Sequence, residues 1–338
     1  MSKFGPLLIS LSGLIVTKDE SQILASEYVG GVIFFRENIE NASQLIKLID
    51  TIKSINDKLL LFIDQEGGKV KRITFPPFDT FKSQYEYGRT NLKEYIQELC
   101  TTNLKLQEYG IHVNLAPTLD SFSPNCPVIG KLGRSFTNNL DELSHIARTI
   151  YKEQRKISMP TVAKHFPDHG NTVDDSHLTL PFDNRTHASI NNHINIYSTM
   201  IKEDLLDIVM PAHVIYKDID PKAPATLSKV IINDIIRKQL NFKKVIISDC
   251  ITMDALKNIP LDHVINQALA IGFDIVTVSH QSTDTIKSLI KQVQMNSDAA
   301  KERLSKLWVK PKNINPRAEI ISTELGSKKI IFGTNKAV

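Results

Sequence analysis

Cysteine is scarce in this chain of 338 residues: there are three, Cys100, Cys126 and Cys250. None lies in a CxxC pair and the count is odd, which excludes a disulfide framework and a cysteine zinc knuckle and fits reduced thiols. Charge of one sign is equally scarce. Against 41 Lys and Arg stand 37 Asp and Glu, a net of +4, too small an excess to mark a nucleic-acid or membrane partner. No apolar run approaches the roughly 20 residues of a membrane span. The run PLLISLSGLIV near the start carries two serines and a glycine and is followed by no small-residue cleavage site, so it does not read as a signal peptide. The expectation is a cytoplasmic, monomeric protein. Two further motifs are missing: no GxGxxG follows an early strand, and no HExxH occurs.

What the chain does have is alternation. Eight short apolar runs, LLISLSG, GVIFF, LLLFIDQE, IHVNLAP, TVAKHF, DIVMPAHV, KVIISDC and FDIVTVS, are apolar throughout, as parallel strands covered on both faces must be. Between them lie stretches such as NASQLIKLIDTIKSI and LDELSHIARTIYKEQRK, whose apolar residues recur every three or four positions, the period of an amphipathic helix. Strand and helix alternating eight times imply an α/β fold of the (β/α)8 TIM-type barrel class, a single catalytic domain over residues 1–308. A doubly wound open sheet is the alternative. Residues 309–338 turn basic and lose the long period, and read as a C-terminal appendage.

Polar residues fall at the ends of these runs: Asp64, Gln65 and Glu66; Asp120; Lys164 and His165; His213; Ser248 and Asp249; Ser279 and His280. Six such strand ends converging on one mouth suit an active site at the C-terminal face of a barrel. The densest stretch, KHFPDHGNTVDDSH from Lys164 to His177, holds three histidines and three aspartates. A metal helix is a poor reading, because Pro167 separates His165 from His169 and no acidic residue follows the first histidine. A loop metal site on His169, Asp174 and His177 matches no closed zinc pattern. The acid/base reading fits better: Asp175 and His177 are two apart, so in an extended segment both side chains point the same way and a carboxylate can hold the imidazole. No metal or cofactor is expected.

The motifs LFIDQEGGKVKRI, NLAPTLDSF with VIGKLGRSF, KHFPDHGNTVDDSH, IVMPAHVIY, PATLS and IISDCITMDAL, in this order from about residue 7 to residue 280, resemble those of glycoside hydrolase family 3, and most closely its single-domain β-N-acetylglucosaminidases. The resemblance implies a retaining exo-glycosidase acting on GlcNAc-terminated peptidoglycan fragments during cell-wall recycling. It implies Asp249 as the nucleophile, His177 with Asp175 as the acid/base pair, and Asp64, Arg72, Arg134, Lys164 and His165 as sugar ligands. Glu66 and His213 read as hydrogen-bonded supports, and Gly67 and Gly68 as a turn. The sequence departs from the family at Asp168, where glycine is usual, in the longer VIGKLGRSF segment before Arg134, and at Cys250 after the nucleophile. A phosphorylase or a β-glucosidase on the same scaffold, and a sugar-binding protein with a dead site, remain alternatives.

Overall fold

A computed structural model of the chain describes residues 4–175 and 179–308, except for the side chains of residues 89, 90 and 255. His177 therefore lies outside the described residues, and so does the expected appendage. Each of the eight apolar runs contains a parallel strand: β1 Leu7–Ile9, β2 Val29–Phe34, β3 Leu60–Ile63, β4 Val113–Asn114, β5 Val162–Phe166, β6 Ile208–Pro211, β7 Val245–Ile246 and β8 Val276–Val278. Helices lie between them as the period requires. Ala42–Ile55 starts where the Asn41 side chain accepts from Gln44 N, and Leu140–Lys156 where Asn139 accepts from Asp141 N and Glu142 N.

The expected closed barrel needs correction. Hydrogen bonds join the strands into two parallel arcs, one in the order β8-β1-β2-β3-β4 and one in the order β7-β6-β5. A single bridge, Ile247 to Ile275, connects the arcs at one seam. There the Ser248 and Thr277 hydroxyls supplement the ladder, with Thr277 N donating to Ser248 Oγ at 2.8 Å and Thr277 Oγ1 to Ser248 O at 2.9 Å. At the other seam, among the described residues, no ladder links β4 to β5. Strand β4 runs into Pro117, which has no N–H to give, and Lys164 O instead accepts from Leu119 N at 2.6 Å.

The pleat sorts side chains into two cores. Leu8, Ile33, Leu60, Phe62, Val113, Val162, Met210 and Val245 gather in one cluster with Phe4, Leu304 and Leu307. Their neighbours Leu7, Ile9, Val32, Phe34, Leu61 and Ile63 pack outward with the helices. Burying each large apolar side chain contributes roughly 1.5–3 kcal/mol relative to exposure. Both clusters anchor strands whose C-terminal ends carry the polar residues.

Candidate active site

Asp64 follows the last residue of strand β3, and the chain turns at once into a hairpin, Gln65–Gly67 against Val70–Lys71. Gly67 and Gly68 have positive φ, 96° and 57°, and form its turn. A Cβ at Gly67 would lie 2.2 Å from Lys82 O, so no larger residue fits there. Gln65 locks the hairpin: its Oε1 accepts from Arg72 N and Ile73 N at 2.8 and 3.1 Å. The hairpin thereby brings Arg72 back over the end of β3, with Nη2 3.4 Å from Asp64 Oδ2.

Lys164, on β5, is almost fully buried, and its ammonium lies 2.8 Å from Asp64 Oδ1 and 2.6 Å from Glu66 Oε1. Glu66 is also gripped by both arms of Arg134, Nε at 2.8 Å and Nη2 at 2.9 Å. Arg72, Asp64, Lys164, Glu66 and Arg134 thus form a chain of alternating charge. Burial alone would push both carboxyl groups up, but the cations outweigh it and hold Asp64 and Glu66 below their usual range. Burial depresses an ammonium; for Lys164 the two carboxylates reverse that, and its pKa rises. Asp64, Glu66, Lys164 and Arg134 are therefore all charged at neutral pH.

His165 follows Lys164 on the strand. Its Nδ1 is 2.7 Å from Asp120 Oδ2, which leaves Nε2 3.9 Å from Asp249 Oδ2 and 3.5 Å from Arg134 Nη2. Asp120 also accepts from the backbone N–H of His165 and His169, at 3.2 and 2.7 Å. Burial raises its pKa and His165 lowers it, with a net lowering. His169 is buried, and that burial, with help from His165, drops its pKa to about 4, so it is a neutral ring here.

Asp249 stands just beyond β7, its side chain 28% exposed, and its Oδ1 accepts from Cys250 N at 2.7 Å. Burial pushes the carboxyl up, but His213, His165, the Cys250 N–H and Lys164 together bring it down to about 2. His213 is fixed from both sides, Nδ1 to Thr226 Oγ1 at 2.7 Å and Nε2 to Cys250 O at 3.0 Å. An ionised, accessible carboxylate beside an imidazole and an ammonium can attack an electrophilic carbon and be displaced again.

The six residues Asp64, Arg72, Arg134, Lys164, His165 and Asp249 are linked by these contacts into one cluster. Of the remaining two expected site residues, Asp175 is half-buried on the loop after β5, its carbonyl accepting from Thr179 N at 2.9 Å, and His177 lies outside the described residues. Arg134 gives its fork to Glu66 rather than to open space. Sequence reading passed over Asp120 as a site residue, although its place at a strand end marked it, and passed over the role of Asp168. That carboxylate does not take positive φ. It accepts from Ser121 N at 2.8 Å, Ser121 Oγ at 2.7 Å and Gly170 N at 3.0 Å, and pairs with Arg185 at 2.9 Å. It ties the base of the β5 loop to the end of β4. Among the described residues no group of three or more His, Cys, Asp or Glu side chains is placed to hold a metal ion, and no helix is long and apolar enough to cross a membrane.

Residues 7–308 match the model of the glycosyl hydrolase family 3 N-terminal domain. A β-hexosaminidase of Neisseria meningitidis is 34% identical over 260 residues, 74% of this chain and 71% of that protein. One of Haemophilus ducreyi is 32% identical over 292 residues, 84% and 83% of the two chains. Among solved structures, NagZ from Neisseria gonorrhoeae in complex with N-trifluoroacetyl-D-glucosamine superposes with a TM-score of 0.81 at 29% identity, covering 90% of this chain and 89% of that one. With that extent of agreement behind the site geometry, the chain belongs to glycosyl hydrolase family 3 and is a glycoside hydrolase.

Proposed function

We propose that the protein is a retaining exo-β-N-acetylglucosaminidase that removes terminal β-linked GlcNAc from peptidoglycan fragments, such as GlcNAc-anhydro-muramyl peptides, as a cytoplasmic monomer. The observation that carries the reading is Asp249: an ionised carboxylate, 28% exposed, whose Oδ2 is 3.9 Å from His165 Nε2, just beyond the end of a parallel strand. The naming of the relatives as β-hexosaminidases and the N-trifluoroacetyl-D-glucosamine bound by the Neisseria gonorrhoeae protein support the N-acetyl sugar. On this reading the two strand arcs are the wall of a (β/α)8 barrel, and the site sits at its C-terminal mouth.

The chemistry follows from the charges. Asp64, Lys164, Arg72, Arg134 and His165 take the sugar hydroxyls, since a carboxylate offers two acceptors and an ammonium or guanidinium a set of donors. Asp249 attacks C1 to form a glycosyl ester as the leaving oxygen departs. His177, oriented and kept basic by Asp175, protonates that oxygen and then takes a proton from the attacking water. After giving up its proton an imidazole is neutral, so water enters without an added anion nearby.

Matched β-glycosides of GlcNAc and glucose test the substrate: faster release of glucose overturns it. His177→Ala tests the acid. It should slow a disaccharide, whose alkoxide needs a proton, far more than an activated aryl glycoside, and should let the ester on Asp249 accumulate as a burst. Equal losses on both substrates with no burst would remove His177 from the reaction.

A further inference from the structure

We propose that His213 is held as a doubly protonated imidazolium whose charge serves the second half of the reaction, when Asp249 must leave the sugar as a free carboxylate. The inference rests on the retaining-glycosidase reading above and extends it to a residue so far treated as a support. His213 acts through Asp249 and not on the sugar, as a positioning residue.

The protonation state follows from counting protons around a buried ring. His213, Ala212 and Thr226 are all buried. His213 Nε2 is 3.0 Å from Cys250 O, and a carbonyl can only accept, so Nε2 carries a proton. Nδ1 is 2.7 Å from Thr226 Oγ1. That hydroxyl has a single proton, which it donates to Ala212 O at 3.1 Å. With the proton committed there, Thr226 Oγ1 accepts from Nδ1, which therefore carries a proton too. In a neutral ring Nδ1 would take the hydroxyl proton, and the buried Ala212 carbonyl would be left with no donor among the described residues, an arrangement that folded chains avoid.

A buried cation is tolerable only near an anion. Here the anion is Asp249, joined to the ring through one residue: Cys250 donates its N–H to Asp249 Oδ1 at 2.7 Å and gives its carbonyl to His213 Nε2. Burial raises the Asp249 carboxyl, and among the groups that bring it down to about 2 His213 stands first, ahead of His165, the Cys250 N–H and Lys164. From the neighbouring elements, β5 contributes the charged or titratable groups His165 and Lys164, and the turn after β7 contributes Asp249 itself and the Cys250 thiol.

In the second step water attacks C1 of the glycosyl ester and the bond from C1 to the Asp249 oxygen breaks. Its electron pair returns to the carboxylate, and the water proton goes to the base, His177 on this reading. A cation near Asp249 stabilises the charge that it regains, which makes it a better leaving group. The same cation weakens the carboxylate as a nucleophile in the first step, so the benefit falls on deglycosylation.

Two measurements test this. In protein labelled with nitrogen-15 in its histidines, the His213 ring is identified by the signals lost in His213→Gln. Both of its nitrogens should be protonated at neutral pH, and a bare nitrogen overturns the proposal. The second measurement is the kinetics of an activated aryl β-glycoside of GlcNAc. His213→Gln keeps a donor for Cys250 O and an acceptor for Thr226 but carries no charge. It should lower kcat about 10-fold, with a burst of aryl release as the ester accumulates. Loss of the cation raises the Asp249 carboxyl, so kcat/KM, which needs it ionised, should begin to fall with acid at a higher pH than in the unaltered enzyme. Thr226→Val, which removes the acceptor at Nδ1, should show both effects more weakly, and Thr226→Ser should behave as the unaltered enzyme does. A lower kcat with the acid limb unmoved would mean that His213 only holds Cys250 in place, and a normal kcat would mean that its charge does not help Asp249 to leave; either overturns the proposal. An unaltered enzyme that turns over no GlcNAc glycoside overturns the glycosidase reading and the second-step role with it, while the protonation of the ring is read without turnover, so the two failures stay distinct.

Discussion

Replacing Asp120 with asparagine changes one atom and should disable the site without rebuilding it. The amide oxygen can still accept from the backbone N–H of His165 and His169, now bonded at 3.2 and 2.7 Å. The amide nitrogen, however, takes the place of the carboxylate oxygen that lies 2.7 Å from His165 Nδ1. With Asp120 ionised, Nδ1 carries the proton and Nε2 presents a lone pair toward the pocket. Facing an amide N–H, the ring takes the other tautomer, and Nε2 becomes a donor 3.5 Å from the Arg134 guanidinium, also a donor. The pocket loses an acceptor, and the ring loses its hydrogen bond to a charged carboxylate. A lost hydrogen bond to a charged group is worth about 1.5–3 kcal/mol, and about 1.4 kcal/mol is tenfold in rate. The expected result is kcat/KM on an aryl GlcNAc glycoside lower by roughly 10- to 100-fold, with a melting temperature changed by only a few degrees. Activity within twofold of the unaltered enzyme would show that Asp120 does not set the orientation of His165. A variant that does not fold would be replaced in the test by His165→Asn, which leaves Asp120 in place.

Asp249→Asn should fold and bind sugar but lose turnover by several orders of magnitude, because an amide cannot form the glycosyl ester; near-normal activity would move the nucleophile elsewhere. Lys164→Ala leaves Asp64 and Glu66 facing each other without their shared cation, and should cost about 1–3 kcal/mol in kcat/KM along with a loss of thermal stability; unchanged values for both would remove it from the site. EDTA should leave activity unchanged, and loss of activity restored by zinc would show that a metal takes part. Stability should fall with acid in two stages. His169 and His112 are buried with pKa values lowered from 6.5 to about 4, so their neutral form stabilises the fold fully above pH 6.5 and less as pH falls toward 4. The carboxyl groups of Asp64, Glu66, Asp120 and Asp249, all lowered, add a loss that begins only below their unfolded values near pH 4. Melting temperatures from pH 8 to 3 should show the first stage weakened in His112→Asn; a flat curve between pH 6.5 and 5 would refute it.

The strands were legible because a strand covered on both faces must be apolar at every position, as in LLLFI and KVIIS; KVIIN at 229–233 looks the same, but its apolar residues continue at helical spacing and it opens the helix Val230–Gln239. The hydrogen bonding of the strands was not. The seam between β4 and β5 depends on Pro117 and on Leu119 N reaching Lys164 O, a detail of backbone path that no apolar pattern encodes. The same division holds in the site. Asp249 and Lys164 announce themselves as polar groups ending apolar runs, but the partner that makes each useful is distant in sequence: Glu66 and Arg134 are 68 residues apart, Asp64 and Lys164 exactly 100. Asp168 shows the limit most sharply. In the sequence it is a departure at a position where glycine is usual; in the structure it accepts from Ser121, Gly170 and Asn171. Only the fold brings Ser121, 47 residues away, within 2.8 Å.

Burial grades the site from support to contact. Asp120, Glu66 and Lys164 are nearly inaccessible, whereas Asp64, Arg72 and Asp249 keep part of their side chains in solvent. Burying a lone charge costs several kcal/mol, so each inaccessible group is tolerable only because its neighbours repay that cost. Glu66 does so for Arg134 and Lys164 at once, and Asp120 does so for His165. Groups committed in this way cannot turn toward solvent when the pocket is empty, so on the proposed reading a sugar would meet donors and acceptors that need no rearrangement. His213, bonded to Thr226 and Cys250, and His165 and Lys164, bonded to Asp120, Asp64 and Glu66, lower the pKa of Asp249 while each is held by other groups, and His165 Nε2 stays 3.9 Å from Asp249 Oδ2. A nucleophile locked to an ammonium would have to break that bond at every turnover. Here the ammonium is locked to Asp64 and Glu66, which on the proposed reading leaves the Asp249 carboxylate for the sugar.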